Sequence, residues 1–145
     1  MRIAVGADHA GFALKEHVKG TLVAAGHEVL DVGTASDASV DYPQFAADAA
    51  RAVRAGRAER AVLACGSGNG VAIAANKIAG IRAVNAHDPD EAEMARRHND
   101  ANVVTLSGSR LSPDQADAIV ACFLGTAFDG GRHQRRVDQI AAIES

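Results

Sequence analysis

The chain has 145 residues, a length that fits one domain with an ordinary buried core and no cross-links. Apolar residues make up 48% and charged residues 23%, a globular balance, and no run approaches the ~18 apolar residues of a membrane span. A net charge of −3 argues against a nucleic-acid surface, and two cysteines, Cys65 and Cys122, give neither a disulfide framework nor metal-type spacing.

The first residues go straight into strand-like sequence without a signal-peptide pattern, so a cytoplasmic protein is expected. Arg2–Gly6 reads as the first strand and Ala7–Gly11 as the loop after it. From Phe12 to Ala25 the residues Leu14, Val18, Leu22 and Ala25 recur at helical spacing, and Gly26 is suited to end that helix. His27–Asp31 supplies a second strand. This order is a βαβ unit, which implies a parallel sheet with right-handed crossovers.

Small polar residues over Thr34–Val40 form a loop. Pro43 suits a first helical turn, Phe45, Ala46, Ala49 and Val53 line one face, and Gly56 ends the helix. Ala61–Ala64 is the third strand, followed by a glycine-rich turn and a helix from about Gly70. Ile81–Asn85 reads as the fourth strand and Pro89–Arg97 as a helix that Asp88 caps. Ala101–Leu106 is the fifth strand. The helix opening at Ser112-Pro113-Asp114 carries the stripe Ala116, Ile119, Val120, Phe123 and Leu124, and a last amphipathic helix spans about 132–143. The expectation is a single-domain Rossmann-like α/β fold over residues 1–145: a doubly wound, five-stranded parallel sheet in three α/β/α layers.

The stretch Cys65-Gly66-Ser67-Gly68-Asn69-Gly70 carries the strongest chemical signal. Glycine at every second position admits positive φ and close approach of a ligand. The amides of such a turn, with the helix start behind it, form an anion-binding concavity. Cys65 ends a strand there, beside a helix N-terminus, an environment that favours a thiolate. A purely structural turn with an inert cysteine accounts for the glycine spacing equally well.

Asp8 and His9 follow the first strand, on the sheet edge that carries Cys65, although helix capping explains Asp8 as readily. Tyr42 is the one tyrosine and stands before a helix, outside any core stripe. His98 opens a run of polar residues, with Asn99, just before a buried strand. Arg132, Arg135 and Arg136 crowd the first turn of the last helix, where the macrodipole disfavours cations. Such a broken rule points to a compensating anion, and guanidinium groups suit a phosphate. Cys122 lies among apolar helix residues and reads as packing.

Six segments then stand in matching order: Gly6–Phe12, Asp41-Tyr42-Pro43, Cys65–Gly70, Ala74–Lys77, His98–Asn102 and Gly131–Arg136. Over essentially its whole length the chain resembles ribose-5-phosphate isomerase type B, in the wider family of sugar-phosphate isomerases. The resemblance implies an aldose–ketose isomerase acting on ribose 5-phosphate, with no cofactor and no metal. It also implies a homodimer or tetramer whose active site lies between subunits. By the same resemblance Cys65 is the catalytic base, His98 the ring-opening acid, and Gly66, Ser67, Gly68, Asn69 and Gly70 the loop that stabilises the intermediate. Asp8, His9, Tyr42, Asn99, Arg110, Arg132 and Arg136 match substrate contacts, the last two on the phosphate. His98, Asn99 and the arginines are expected from the partner subunit. Ser67 stands where many relatives have threonine, and the segment Val104–Arg110 is a residue longer than usual. Two other readings remain: a phosphatase or transferase with Cys65 as nucleophile, and a non-catalytic nucleotide-binding module with Asp88 or Asp90 on a ribose.

Overall fold

The three central strands are short apolar runs of the kind parallel sheets bury on both faces. The computed structural model describes residues 1–144. In chain order the elements are β1 (Arg2–Ala7), α1 (Phe12–Ala24), β2 (Glu28–Asp31), α2 (Tyr42–Arg54), β3 (Arg60–Cys65), α3 (Asn69–Ala75), β4 (Ala83–Asn85), α4 (Pro89–Asn99), β5 (Val103–Ser107), α5 (Pro113–Gly125) and α6 (Arg132–Ile143). All strand pairs are parallel, in the order β2-β1-β3-β5-β4. The expected doubly wound sheet is therefore the fold.

Side-chain alternation divides the apolar runs between two cores. Ile3, Val5, Val62, Val104 and Leu106 pack with residues of α1, α4 and α5 on one face. Ala4, Ala61, Leu63, Cys65 and Val103 pack with residues of α2 and α3 on the other. Local signals place the helices as read: Asp88 accepts the Glu91 N–H at 2.8 Å, and Ser112 forms a capping box with Gln115. The fourth strand is shorter than its apolar run. The Arg82 N–H goes to the Asn102 side chain at 2.8 Å, so the ladder starts only at Ala83.

Two features position the chemistry. The chain winds outward from β1 to β2 and then crosses to β3 on the other side, which puts a topological switch point between β1 and β3. The loops leaving those strands diverge there and open a crevice. The second feature is α6, which buries only Val137 within its own chain. No helix among the described residues is long and apolar enough to cross a membrane.

Candidate active site

The crevice at the carboxyl edge of β1 and β3 gathers one group of the expected residues. Asp8 is buried there, and its Oδ1 accepts the Gly11 N–H at 3.0 Å, so it does shape the approach to α1. His9 is exposed, with Nδ1 accepting the Val40 N–H at 3.2 Å, which ties this loop to the one before α2. The Tyr42 ring lies over Gly70, where an added Cβ would stand 2.5 Å from Cζ. Arg110 lies in the turn after β5, on this same edge, and has no carboxylate partner among the described residues.

Cys65 ends β3 with 4% exposure, and the turn after it bends back over the sulfur. The Gly68 N–H donates to Sγ at 3.2 Å. The Asn69 N–H donates to Ser67 Oγ at 3.1 Å, which fixes that hydroxyl at the mouth of the turn. The N–H groups of Gly66, Ser67 and Gly70 have no protein acceptor among the described residues. Gly68 is required for two reasons: its φ is +80°, and a Cβ there would collide with Asn85 Oδ1. The result is a set of N–H donors around the Cys65 sulfur, an arrangement that suits an oxyanion.

The remaining expected residues gather elsewhere. In a parallel sheet α4 starts at the carboxyl edge and ends at the amino edge. Its eleven residues carry His98 and Asn99 ~15 Å along that path, toward the strand beginnings. The Arg82 guanidinium binds the Asn99 and Asp100 carbonyls, both at 3.0 Å, and Arg82 itself sits just before β4. His98 is thus at the end of the sheet opposite Cys65 of the same chain.

Around His98 the surface is basic. The His133 ring stacks on it, with centroids 4.2 Å apart and planes inclined by 12°. Partial desolvation, then the positive field of His98, Arg132 and Arg136, lowers the His133 pKa, and Asp129 opposes this. His133 is accordingly neutral at pH 7. Arg132 and Arg136 are exposed, one helical turn apart, and have no carboxylate partner among the described residues. Asp129 instead pairs with Arg97, at 3.2 Å. His98, Asp129 and His133 do place three ligand atoms within 4.8 Å of one another. Stacked rings, however, send their lone pairs along parallel directions, and three guanidinium groups crowd a dication. This end of the chain suits an anion.

A sequence profile described as Ribose/Galactose Isomerase matches residues 3–140. The chain belongs to that family. It is an isomerase. It is 46% identical to ribose-5-phosphate isomerase B of Escherichia coli, over 99% of this chain and 96% of that protein. The solved ribose-5-phosphate isomerase B of Clostridium thermocellum superposes with a TM-score of 0.98 at 44% identity, covering 99% of this chain and 97% of that one. A Mycoplasma genitalium ribose-5-phosphate isomerase B with bound ribulose 5-phosphate superposes with a TM-score of 0.94 at 38% identity, covering 99% and 95%. The family resemblance expected from the six segments therefore extends to the whole fold.

Sequence reasoning does not single out every residue at the two ends. His133 hides in an arginine-rich run, and only the tertiary stack separates it. Asn85, Thr105 and Ser107 look like ordinary strand positions, yet all three bond the Cys65 turn. The expectation that groups Arg110 with Arg132 and Arg136 also meets a topological division, because Arg110 follows β5 and faces the Cys65 end.

Proposed function

We propose that the chain interconverts ribose 5-phosphate and ribulose 5-phosphate through a cis-enediolate, in a site that two copies build together. The observation that carries the shared site is the placement of Cys65 and His98 at opposite edges of one sheet. No motion short of unfolding brings them together within a chain. A second copy, packed with its amino edge against the first copy's carboxyl edge, supplies what each end lacks. Exposed apolar side chains mark both ends. Ile73 stands on α3 beside the Cys65 turn, while Ile140 and Ile143 stand on α6, with Ile143 80% exposed. Ile140 and Ile143 line a groove of about 420 Å³ with Ile81, Val84 and Asn99. The C-terminal helix thereby contributes to the dimer and to the partner's site.

In this site Arg132 and Arg136 hold the substrate phosphate, and His98 moves a proton to the ring oxygen as the sugar opens. Cys65, as thiolate, takes the proton from C2 of the open aldose and returns it at C1. The hydroxyl proton passes between O2 and O1. Negative charge on oxygen during the transfer meets the free N–H groups of Gly66, Ser67 and Gly70 and the Ser67 hydroxyl. One such donor contributes about 2.7–4 kcal/mol where comparable sites were measured. Asp8, His9, Tyr42, Asn99 and Arg110 surround the sugar, and the reaction calls on no group beyond these side chains and amides.

The preferred sugar follows from pocket length, where a hydroxymethyl-sized difference changes preference by ~1–3 kcal/mol. A panel of ribose 5-phosphate, allose 6-phosphate, galactose 6-phosphate and a tetrose phosphate, compared by kcat/KM, tests the assignment. Ribose 5-phosphate should rank first, and the ribulose 5-phosphate formed in D₂O should carry deuterium at C1. A higher kcat/KM for any other member overturns the substrate, and undiluted transfer of the C2 hydrogen as hydride overturns the enediolate.

A further inference from the structure

β5 is buried along its whole length, yet two of its five residues are Thr105 and Ser107, each with no exposed surface. Hydroxyls buried in a sheet are costly unless they are bonded. Both are bonded, and to one segment. Thr105 Oγ1 donates to the Gly68 carbonyl at 2.7 Å, and Ser107 Oγ to the Gly66 carbonyl at 2.7 Å. Ser109 adds its own hydroxyl at 2.7 Å and its N–H at 3.1 Å to that Gly66 oxygen. From β4, Asn85 Nδ2 donates to the Ser67 carbonyl at 3.1 Å and to Asn69 Oδ1 at 2.7 Å. Asn85 does this while its Oδ1 is buried without a partner.

These bonds take the carbonyls of three successive residues. A trans peptide is planar, with the carbonyl of one residue and the N–H of the next pointing opposite ways. Fixing the Gly66 carbonyl toward β5 therefore turns the Ser67 N–H into the crevice. Fixing the Ser67 carbonyl on Asn85 aims the Gly68 N–H at Cys65 Sγ. Fixing the Gly68 carbonyl on Thr105 aims the Asn69 N–H at Ser67 Oγ. The three carbonyl bonds thus set one N–H toward the oxyanion, one on the sulfur and one on the Ser67 hydroxyl.

We propose that Asn85, Thr105 and Ser107 are positioning residues for the isomerisation: acting through the backbone, they hold the three peptide planes of the 66–69 turn so that its N–H groups meet the sulfur and the oxyanion. Preorganised donors contribute because no reorientation is needed as charge develops. The clamp therefore acts on the transition state far more than on the bound sugar. Its parts are unequal. The Gly68 carbonyl depends on Thr105 alone among side chains, and the Ser67 carbonyl on Asn85 alone. The Gly66 carbonyl keeps two Ser109 donors when Ser107 is lost.

This inference rests on Cys65 and its turn being the reaction centre, so Cys65→Ala is measured beside the clamp variants. The probes are ribose 5-phosphate for kcat and KM, and a phosphorylated hydroxamate that mimics the enediolate for inhibition. Thr105→Val and Asn85→Ala should each lower kcat by about 10–100-fold, leave KM within threefold, and weaken the hydroxamate in step with kcat. Thr105→Ser, which keeps the hydroxyl, should restore kcat to within threefold of the parent. Ser107→Ala should cost less than either, and Ser107→Ala with Ser109→Ala more than the product of the two singles. Thermal unfolding with the hydroxamate absent reports folding separately, and kcat is expressed per folded molecule. Kcat within threefold of the parent in both Thr105→Val and Asn85→Ala, or equal rises in KM and in the hydroxamate inhibition constant, overturns the clamp. Failure of Thr105→Ser to restore kcat overturns it as well. An active Cys65→Ala enzyme overturns the reaction centre itself, whatever the clamp variants do.

Discussion

The two edges of the sheet are finished to different degrees. At the carboxyl edge the Cys65 turn has its carbonyls bonded into the sheet, a buried sulfur under an N–H donor, and a first loop that Asp8 braces internally and His9 ties to the loop before α2. At the amino edge Arg132 and Arg136 stand exposed at the start of α6, and that helix buries one residue. The first half is bonded within its own chain before any ligand arrives. The second half has charge without a counterion and an apolar helix face without a cover. The contrast separates the two tasks of the reaction. Proton transfer needs donors fixed in advance, which one chain builds into its core. On the proposed reading, phosphate capture falls to guanidinium groups that stand exposed until their anion and a second copy arrive.

The comparison predicts different kinetic signatures for the two halves, and the largest belongs to Cys65. Cys65→Ala should lower kcat by about 10²–10⁴-fold, the range of a positioned general base, with the fold and KM little changed. Activity within tenfold of the parent would remove Cys65 as the base. The arginines should show the opposite pattern. Arg132→Ala and Arg136→Ala each remove charged hydrogen bonds worth about 1.5–3 kcal/mol, so KM should rise by roughly 10–150-fold while kcat falls less. Steady-state kinetics with ribose 5-phosphate give the split. A fall in kcat at constant KM in either arginine variant would erase the division of labour.

Much of the carboxyl edge was legible in the sequence because its signals are local. A strand ending in Cys65 and a turn with alternating glycine announce the bend, which the positive φ of Gly68 bears out. The arginines were legible because they break a helix-end rule within a single turn. What stayed hidden depends on register. Ser107 lies beside Cys65 only because β3 and β5 pair in parallel, Ala64 with Leu106 and Cys65 with Ser107. Residues some forty positions apart become one unit by that pairing, and a Thr or Ser in a strand otherwise reads as a solvent-facing position. The stack of His133 on His98 is equally tertiary, because it needs α6 to fold back along α4. The start of β4 was misplaced for a smaller reason of the same kind: the Asn102 side chain takes the Arg82 N–H before the ladder can.

The smallest expected effect decides most about how the two edges meet. If each site joins Cys65 of one copy to His98 of another, Cys65→Ala and His98→Ala are complementary lesions. Each variant alone forms dimers with two defective sites. Under subunit exchange, about half of the dimers are mixed, and in each of these one site carries both lesions while the other carries neither. Activity should then recover to roughly a quarter of the parental value, provided the sites act independently and the variants exchange alike. The recovered species should also keep the parental KM, because its one active site is complete. A site built within one chain gives a different result, since every chain in the mixture carries a lesion and no pairing removes it. Exchange is followed separately by mixed-dimer formation between tagged and untagged subunits. Exchange without recovery would sink the shared site, and the contrast between the edges would then need another cause than assembly.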